Sequence, residues 1–375
     1  MRIYERAANP RELGFALVLA PNAMAALSEL GVAEAMIADG VVTTAVEVRR
    51  PDGRVLRRLN AQIGGRLVVA LRPALHGALL KAVGTGALAL DSEAVDFAVT
   101  PAGVLLELRN GRTATGDVLI GADGAGSVIR KRLHPHEPPP RRSGYCALRG
   151  VARGVGDQLG DLAAVAYLGD GIEAATARAS QSAVYWYVSM LAEDVAAEPR
   201  DPKEILLRHT ANFDARFQAI ARATAPDDLR FDELFERDVL DEWGAGPVTL
   251  LGDAAHPMLP HTGQGAAQAL EDAVALSLAL APAAAAGAAL RRYERVRSAR
   301  TRRLVKLGRR IASVTTTRSA VVRCVRDAAV RLVPEAALLS TVPWRRRDPH
   351  RELRLGRVQG SDPEPAAGEI ASRRG

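Results

Sequence analysis

The residues most suited to chemistry lie in one stretch, 247–272, which reads PVTLLGDAAHPMLPHTGQGAAQALED. Val248–Leu251 is a β-branched and apolar run typical of a buried strand, and Gly252-Asp253 ends it with a carboxylate. Gly263-Gln264-Gly265 then begins a long helix predicted over 266–281. In open α/β sheets ligands bind where strands end, and glycines at a helix start expose backbone N–H groups. An acid beside such donors suits a large, partly anionic cofactor.

A second acidic corner lies in the stretch 116–130, which reads GDVLIGADGAGSVIR. The pattern predicts a buried apolar strand, a turn at Asp123-Gly124, and a helix that carries Arg130. An Asp-Gly turn alone has little specificity. Two acid-and-glycine corners in this order are a stronger signal, and they predict that Asp123 and Asp253 share one cleft.

Together these motifs resemble those of the FAD-dependent aromatic-ring monooxygenase superfamily, the para-hydroxybenzoate hydroxylase-like proteins, and within it the salicylate and urate hydroxylase type. The resemblance implies that Asp253 binds the ribityl chain of FAD and that Asp123 helps to hold the pyrophosphate region. Other candidate cofactor-binding residues are Gly252 and, facing the flavin pyrimidine ring, Pro260, Gly263, Gln264 and Gly265. A plain strand-turn-helix in which Asp253 is a helix cap is the alternative interpretation.

Further FAD contacts are implied nearer the N-terminus. Arg72-Pro73 begins a predicted helix where the family has an Arg that contacts the FAD phosphates or ribityl chain, and a guanidinium matches a pyrophosphate well. An Arg that caps a surface helix is the alternative. Glu5 and Arg6 lie in a segment that follows the family's glycine turn, where the acid binds ribose hydroxyls. The sequence has no G-x-G-x-x-G in a strand-to-helix setting, so we expect a chain that begins about 30 residues late.

The implied reaction is the NADH- or NADPH-dependent hydroxylation of a small aromatic or heteroaromatic substrate by O₂, through a flavin C4a-hydroperoxide. FAD carries the difficult chemistry in such enzymes. His256 and Tyr185 are the candidate catalytic residues, with His261 and Tyr187 as alternatives for an activating base. The run 183–188 concentrates aromatic side chains that suit a planar substrate, although at least one of them is expected to serve ordinary core packing.

The predicted fold class is α/β: an FAD-binding dinucleotide fold, truncated at the N-terminus, interleaved with a mixed or antiparallel β-sheet substrate domain and followed by C-terminal helices. The predicted FAD-binding domain comprises 1–40, 67–135 and 246–315. The predicted substrate domain comprises 41–66 and 136–245. A C-terminal helix is predicted over 316–342 and a disordered tail over 343–375.

Composition limits the remaining function classes. The 375 residues carry a net charge of +7. The positive charge is concentrated in 291–326, which contains 12 Arg and one Lys but a single Glu. Such a helix could bind nucleic acid or anionic lipid, but no interleaved aromatic motif accompanies it, so nucleic acid is not an expected partner. Two distant cysteines indicate a reduced, cytoplasmic setting, and we expect neither a metal site nor a membrane span. The sequence leaves open whether the chain forms a homodimer. The alternative function is a truncated, catalytically impaired flavoprotein-like chain that acts as a binding or interaction protein.

Overall fold

The computed structural model describes residues 1–9, 15–60, 66–196, 201–281 and 285–334. The described α-helices are α1 Pro21–Glu29, α2 Ala33–Asp39, α3 Arg72–Val83, α4 Val128–Leu133, α5 Pro202–His209, α6 Ala215–Ala223, α7 Gly265–Leu280, α8 Ala286–Thr315 and α9 Ala320–Leu332. The described strands are β1 Ile3–Tyr4, β2 Ala16–Leu19, β3 Val41–Thr43, β4 Ala45–Arg49, β5 Val55–Asn60, β6 Leu67–Leu71, β7 Leu88–Ala89, β8 Ala94–Thr100, β9 Gly103–Leu108, β10 Thr113–Gly116, β11 Leu119–Gly121, β12 Arg141–Arg153, β13 Ala164–Leu168, β14 Ile172–Arg178, β15 Ala183–Leu191, β16 Leu229–Glu236 and β17 Val248–Leu250.

The largest sheet has seven strands in the order β16-β12-β15-β14-β13-β4-β5, antiparallel except for the β13–β4 pair. Because side chains alternate along a strand, the sheet presents two faces. Its outer face forms a hydrophobic core in which Trp186 and Val188 pack with Leu206, Phe217 and other side chains of α5 and α6. The strand β15 therefore buries Trp186 in this core, which confirms the expectation that one aromatic of 183–188 serves core packing.

Four smaller sheets build the other part of the molecule. They are the parallel pair β11–β17, the three-stranded sheet β2-β6-β3, the parallel pair β1–β7 and the three-stranded sheet β10-β9-β8. The helix α7 packs between two hydrophobic clusters, one reached by Ala275 and Leu276 and the other by Ala267 and Val274. The mixed α/β architecture and the C-terminal helices are as the sequence predicts.

The structure differs from the predicted elements at identifiable points. Val41–Thr43 pairs with Leu67–Leu71 rather than with the substrate sheet, so the segment assigned to the substrate domain joins it at Ala45. The segment 202–223 forms two helices rather than one, because Asp214 caps α6 by accepting a hydrogen bond from Phe217 N at 2.9 Å. The strands β7 and β8 are separated by a turn at Asp91, which has a φ of 49°.

The helix α8 forms ion pairs with acids in and just after β16. Arg302 pairs with Asp241 at 2.7 Å and Arg309 with Glu236 at 2.7 Å. On α8, Leu304 is buried, whereas Val314 is 41% exposed. The helix α9 ends at Leu332, so the part of the predicted helix from 335 onwards and the predicted disordered tail lie outside the described residues. These acids thus neutralise part of the positive charge of the segment 291–326.

Candidate functional site

The two acidic corners lie side by side. The strands β11 and β17 are parallel and in register, with Gly121 opposite Leu250. Asp123 and Asp253 follow these strands within three residues, so both corners occupy the same edge of the sheet. This agrees with the rule that ligands of open α/β sheets bind at the carboxyl ends of the strands.

Arg130 joins the two corners. Its side chain is fully buried, and Nη1 donates to the carbonyl oxygens of Ala254 at 3.1 Å and Ala255 at 2.9 Å. It also pairs with Glu137 at 2.5 Å. Burial would raise the pKa of Glu137, but hydrogen bonds and charge from Arg130 outweigh burial and lower the pKa. Arg130 therefore braces both corners.

Asp123 itself organises the start of α4. Its carboxylate accepts hydrogen bonds from Ser127 Oγ at 2.5 Å and from Val128 N at 2.7 Å. The neighbouring Gly124 has a φ of 79°, and a Cβ atom there would meet nothing within 4 Å. The corner is therefore a rigid turn with open space beside its backbone.

The other corner brings an acid next to a helix start. Asp253 Oδ1 lies 3.9 Å from the position that a Cβ atom on Gly265 would take. Asp253 is open to solvent, yet surrounding protein atoms raise the pKa of its carboxyl by desolvation, while the charges of His256 and Arg72 oppose this rise. An accessible carboxylate crowded by protein lies in a cleft. Arg72 lies close enough to this cleft to act on Asp253 electrostatically.

The start of α7 has room and donors for a ligand. Gly263 adopts the left-handed conformation with a φ of 62°, and a Cβ atom there would meet nothing within 4 Å. No side chain caps α7, so the N–H groups of its first turn, from Gly265, have no partner within the helix. Such a terminus attracts anions and electron-rich carbonyl groups.

Behind this terminus a polar network orients Gln264. Asn22 Nδ2 donates to Gln264 Oε1 at 2.9 Å and to Glu271 Oε1 at 2.6 Å. Gln268 Nε2 also donates to Gln264 Oε1, at 3.1 Å. With its oxygen held on the protein side, Gln264 keeps a buried Nε2 that has no partner among the described residues. A buried, unpaired donor at the helix start fits a ligand that carries hydrogen-bond acceptors, as the flavin pyrimidine ring does.

His256 lies behind the cleft rather than in it. Its side chain is 1% exposed, and Nε2 lies 2.6 Å from Asp272 Oδ2. Asp272 also accepts from Gly252 N at 3.0 Å and pairs with Arg297 at 2.6 Å. Burial would raise the pKa of Asp272, but the charges and hydrogen bonds of His256 and Arg297 lower it. The His256 ring is also 5.3 Å from that of Trp243.

The inner face of the seven-stranded sheet, opposite Trp186, carries polar and aromatic residues. The inner face is defined here by its side chains on β12, β14 and β15: Tyr145, Arg149, Glu173, Tyr185, Tyr187 and Ser189. Arg149 pairs with Asp232 and lies 5.7 Å from the ring centre of Phe15. Burial raises the pKa of Tyr185 to about 12, although the charges of Arg149 and Arg72 oppose this rise. Tyr185 therefore lies near both arginines.

The flavin-motif loop is the segment from Ala254 to Gly263 that leads into α7. One hydrogen bond joins the inner face to this loop. His261, which follows Pro260 in that loop, has Nε2 3.1 Å from Ser189 Oγ and 3.7 Å from Glu173 Oε1. Tyr187 OH donates to Glu173 Oε1 at 3.2 Å. Burial lowers the pKa of His261 to about 4 and raises that of Glu173 to about 7, although hydrogen bonds from Thr315 and Tyr187 oppose the rise of Glu173.

The structure thus brings most of the predicted site residues together. The residues around the one cleft are Arg72, Tyr185, Gly252, Asp253, Pro260, Gly263, Gln264 and Gly265, with Asp123 at the adjoining corner. Glu5 and Arg6 follow the separate pair β1–β7, where Glu5 accepts a hydrogen bond from Ala7 N at 2.8 Å. Sequence reasoning assigned no role to Asn22, Arg149, Glu173, Asp272 or Arg297. The sole sequence signal for Arg297 was its place in the segment YERVR, which resembles a helix of the family.

In the described ranges, no three His, Cys, Asp or Glu side chains are grouped so that they could hold a metal ion. None of the helices in that part of the chain is long and apolar enough to cross a bilayer.

Comparisons with known proteins agree with this geometry. A model of the FAD binding domain family matches residues 1–307. The aurachin C monooxygenase/isomerase of Stigmatella aurantiaca is 31% identical over 330 residues, which cover 87% of this chain and 86% of that protein. The 3-hydroxybenzoate 6-hydroxylase 1 of Aquipseudomonas alcaligenes is 30% identical over 321 residues, 80% of each chain.

Solved structures show the same fold. Klebsiella pneumoniae HpxO, complexed with FAD and uric acid, superposes with a TM-score of 0.83 at 24% identity, covering 91% of this chain and 89% of that one. A salicylate hydroxylase in complex with its substrate superposes with a TM-score of 0.76 at 24% identity, covering 91% and 90%.

Proposed function

The chain belongs to the FAD-dependent aromatic monooxygenase superfamily, and from this premise we propose which of its residues bind the cofactor and which bind the substrate. It is an FAD-dependent oxidoreductase of the monooxygenase kind. We place the flavin ring at the start of α7 and the substrate between that ring and the inner face of the sheet.

The proposed cofactor contacts follow from the cleft. Asp253 would accept hydrogen bonds from ribityl hydroxyls, because its carboxylate is accessible and lies beside Gly265. The first N–H groups of α7 and the unpaired Nε2 of Gln264 would donate to the pyrimidine edge. Such preorganised donors stabilise negative charge there at no cost of reorganisation. The pyrophosphate and ribose assignments of Asp123, Arg72, Glu5 and Arg6 rest on the resemblance.

When bound, FAD would take electrons from NADH or NADPH and activate O₂ for insertion into the substrate. The protein's own residues would hold the ring, orient the substrate and exclude water. His256 would take no direct part in this chemistry. Its buried contact with Asp272, which in turn holds Gly252 N, supports a role in fixing the Asp253 turn. Tyr185 would form part of the substrate wall.

The substrate proposal rests on one observation above all, the 3.1 Å contact between His261 Nε2 and Ser189 Oγ. It sets the loop that begins α7 directly against the inner face. Tyr185 and Tyr187 on that face are suited to a planar ring, and Arg149 to an anionic or electron-rich substituent. The relatives act, by their names, on aurachin C and on 3-hydroxybenzoate, which supports a small aromatic or heteroaromatic substrate here.

No described contact favours the interaction-protein alternative, since acids of the substrate domain pair with arginines of the basic helices. Use of O₂, a homodimer and a cytoplasmic location stay predictions.

The test is direct. The purified chain is titrated with FAD and then supplied with NADH or NADPH and a panel of phenols, hydroxybenzoates and purines. We expect stoichiometric flavin binding and, for at least one compound, a product that has gained one oxygen atom by mass spectrometry. A folded chain that leaves FAD free in solution would overturn the proposal.

A further inference from the structure

One acid of the inner face is not explained by cofactor binding. Glu173 is 8% exposed, and its ion-pair distance to His261, 3.7 Å, is long. Its carboxylate accepts a hydrogen bond from the hydroxyl of Tyr187 at 3.2 Å, and Thr315 also hydrogen-bonds to it. A buried carboxylate without a close cation is costly, so its presence on a substrate-facing surface calls for a chemical role.

The groups around Glu173 come from several elements. Tyr187 comes from β15, His261 from the flavin-motif loop and Thr315 from the end of α8, while Arg326 on α9 acts through its charge. The ring of Tyr145, from β12, packs edge-on against that of His261 with centroids 5.4 Å apart. His261 is kept neutral by burial and is already in contact with Ser189. Among the described members of this cluster, Glu173 is the one that can exchange a proton near neutral pH.

We propose that Tyr187 and Glu173 form a proton-accepting pair for an ionisable hydroxyl or ring N–H of the substrate. The substrate's O–H or N–H bond breaks and its proton goes to the Tyr187 oxygen, while the Tyr187 proton goes to a Glu173 oxygen. The negative charge moves from Glu173 to the substrate ring, which becomes more electron-rich, and no electron leaves the pair. Tyr187 would touch the substrate, and Glu173 would act through it. The inference rests on the proposed location of the substrate.

The pair also implies a substrate class. A compound whose donor is methylated cannot give up the proton and leaves the buried Tyr187–Glu173 pair without a partner. We therefore expect a phenol to be hydroxylated and its methyl ether to be left unchanged. General-base contributions of this kind are about 10²- to 10⁴-fold in rate.

The experiment uses the FAD-loaded full chain with Glu173→Gln, Tyr187→Phe and Glu173→Asp, and with Glu193→Gln as control, because Glu193 is an exposed acid just beyond β15. Difference infrared spectra are recorded on adding phenol at pH 8. We expect a protonated-carboxyl band to form in the wild type and in Glu193→Gln, to be missing in Glu173→Gln and Tyr187→Phe, and to return in part in Glu173→Asp. For an accepted phenolic substrate, kcat should rise with pH around pH 7 in the wild type. In Glu173→Gln, kcat should be lower by about 100-fold or more and should no longer rise with pH.

The outcomes distinguish a failure of the proposed function from a failure of the proton-accepting pair. If FAD does not bind to any variant, the proposed function fails. If FAD binds and a substrate is hydroxylated, but phenol produces no carboxyl band or Glu173→Gln keeps the wild-type pH profile, the proton-accepting pair is refuted.

Discussion

Arg130 donates a hydrogen bond of 2.9 Å to the carbonyl oxygen of Ala255, and this contact ties the two acidic corners into one unit. It spans 125 residues of sequence. Because the guanidinium is fully buried and also pairs with Glu137, it cannot be lost without leaving polar groups unsatisfied.

Arg130→Met should therefore destabilise the protein strongly. Removing one partner of a buried ion pair costs about 3–5 kcal/mol. The matched control is Arg132→Met on the same helix, where the side chain is 59% exposed and pairs with Asp96 at the surface. Exposed pairs contribute about 1 kcal/mol or less. Urea unfolding compares the two, and equal losses would contradict the bracing role.

Gly265→Ala should lower FAD affinity while leaving the fold intact. A Cβ atom there meets no protein atom closer than 3.9 Å, so it enters the space proposed for the flavin rather than the core. The control is Gly77→Ala in the exposed part of α3, where a Cβ atom meets nothing within 4 Å. That variant should be stabilised by about 1 kcal/mol and bind FAD normally. Equal FAD affinities in the two variants would contradict the proposed location of the flavin at the start of α7.

His256→Ala should weaken FAD binding and stability but not the chemical step. The side chain is buried against Asp272 and Trp243, so its removal leaves a cavity and loosens the Gly252 turn. The free energy of unfolding should fall by about 2–4 kcal/mol. Stopped-flow measurement at saturating FAD should recover most of kcat. A kcat that stays 100-fold low at saturating FAD would make His256 a catalytic residue after all.

How far the sequence predicts this site depends on how local each contact is. Asp253 and Gly263–Gly265 lie within one strand-loop-helix segment, so their spacing alone indicates a ligand-binding turn. The surroundings of His256 could not be predicted from its loop, because its partner Asp272 lies halfway along α7 and is itself fixed by Arg297 from α8. Glu173 was missed for the same reason, since its burial depends on how β14 faces the flavin-motif loop.

The stability of the wild type should respond to pH through two opposing groups. Glu173 has a folded pKa of about 7 against 4.5 when unfolded, so its contribution is complete below pH 4.5 and is lost as the pH rises through 7. His261 has a folded pKa of about 4 against 6.5, so its contribution is present above pH 6.5 and is lost as the pH falls through 4.

Glu173→Gln should therefore be more stable than the wild type at pH 8, by up to about 3 kcal/mol, because it removes a buried carboxylate. Between pH 4.5 and 6.5 the stability of Glu173→Gln should respond to the titration of His261 and no longer to that of Glu173. Its stability should therefore fall as the pH falls. Thermal unfolding across pH 4–8 measures both effects. A variant whose curve runs parallel to that of the wild type would show that Glu173 does not titrate in the folded protein.

The central claim is that the Asp253 corner holds the flavin, and an FAD fluorescence titration of Asp253→Ala tests it most directly. The control is Asp241→Ala, where the carboxylate is 85% exposed and pairs with Arg302 at the surface. Losing hydrogen bonds to a charged group should weaken FAD binding about 10- to 100-fold in Asp253→Ala and leave Asp241→Ala like the wild type. Wild-type affinity in a folded Asp253→Ala protein would contradict the claim.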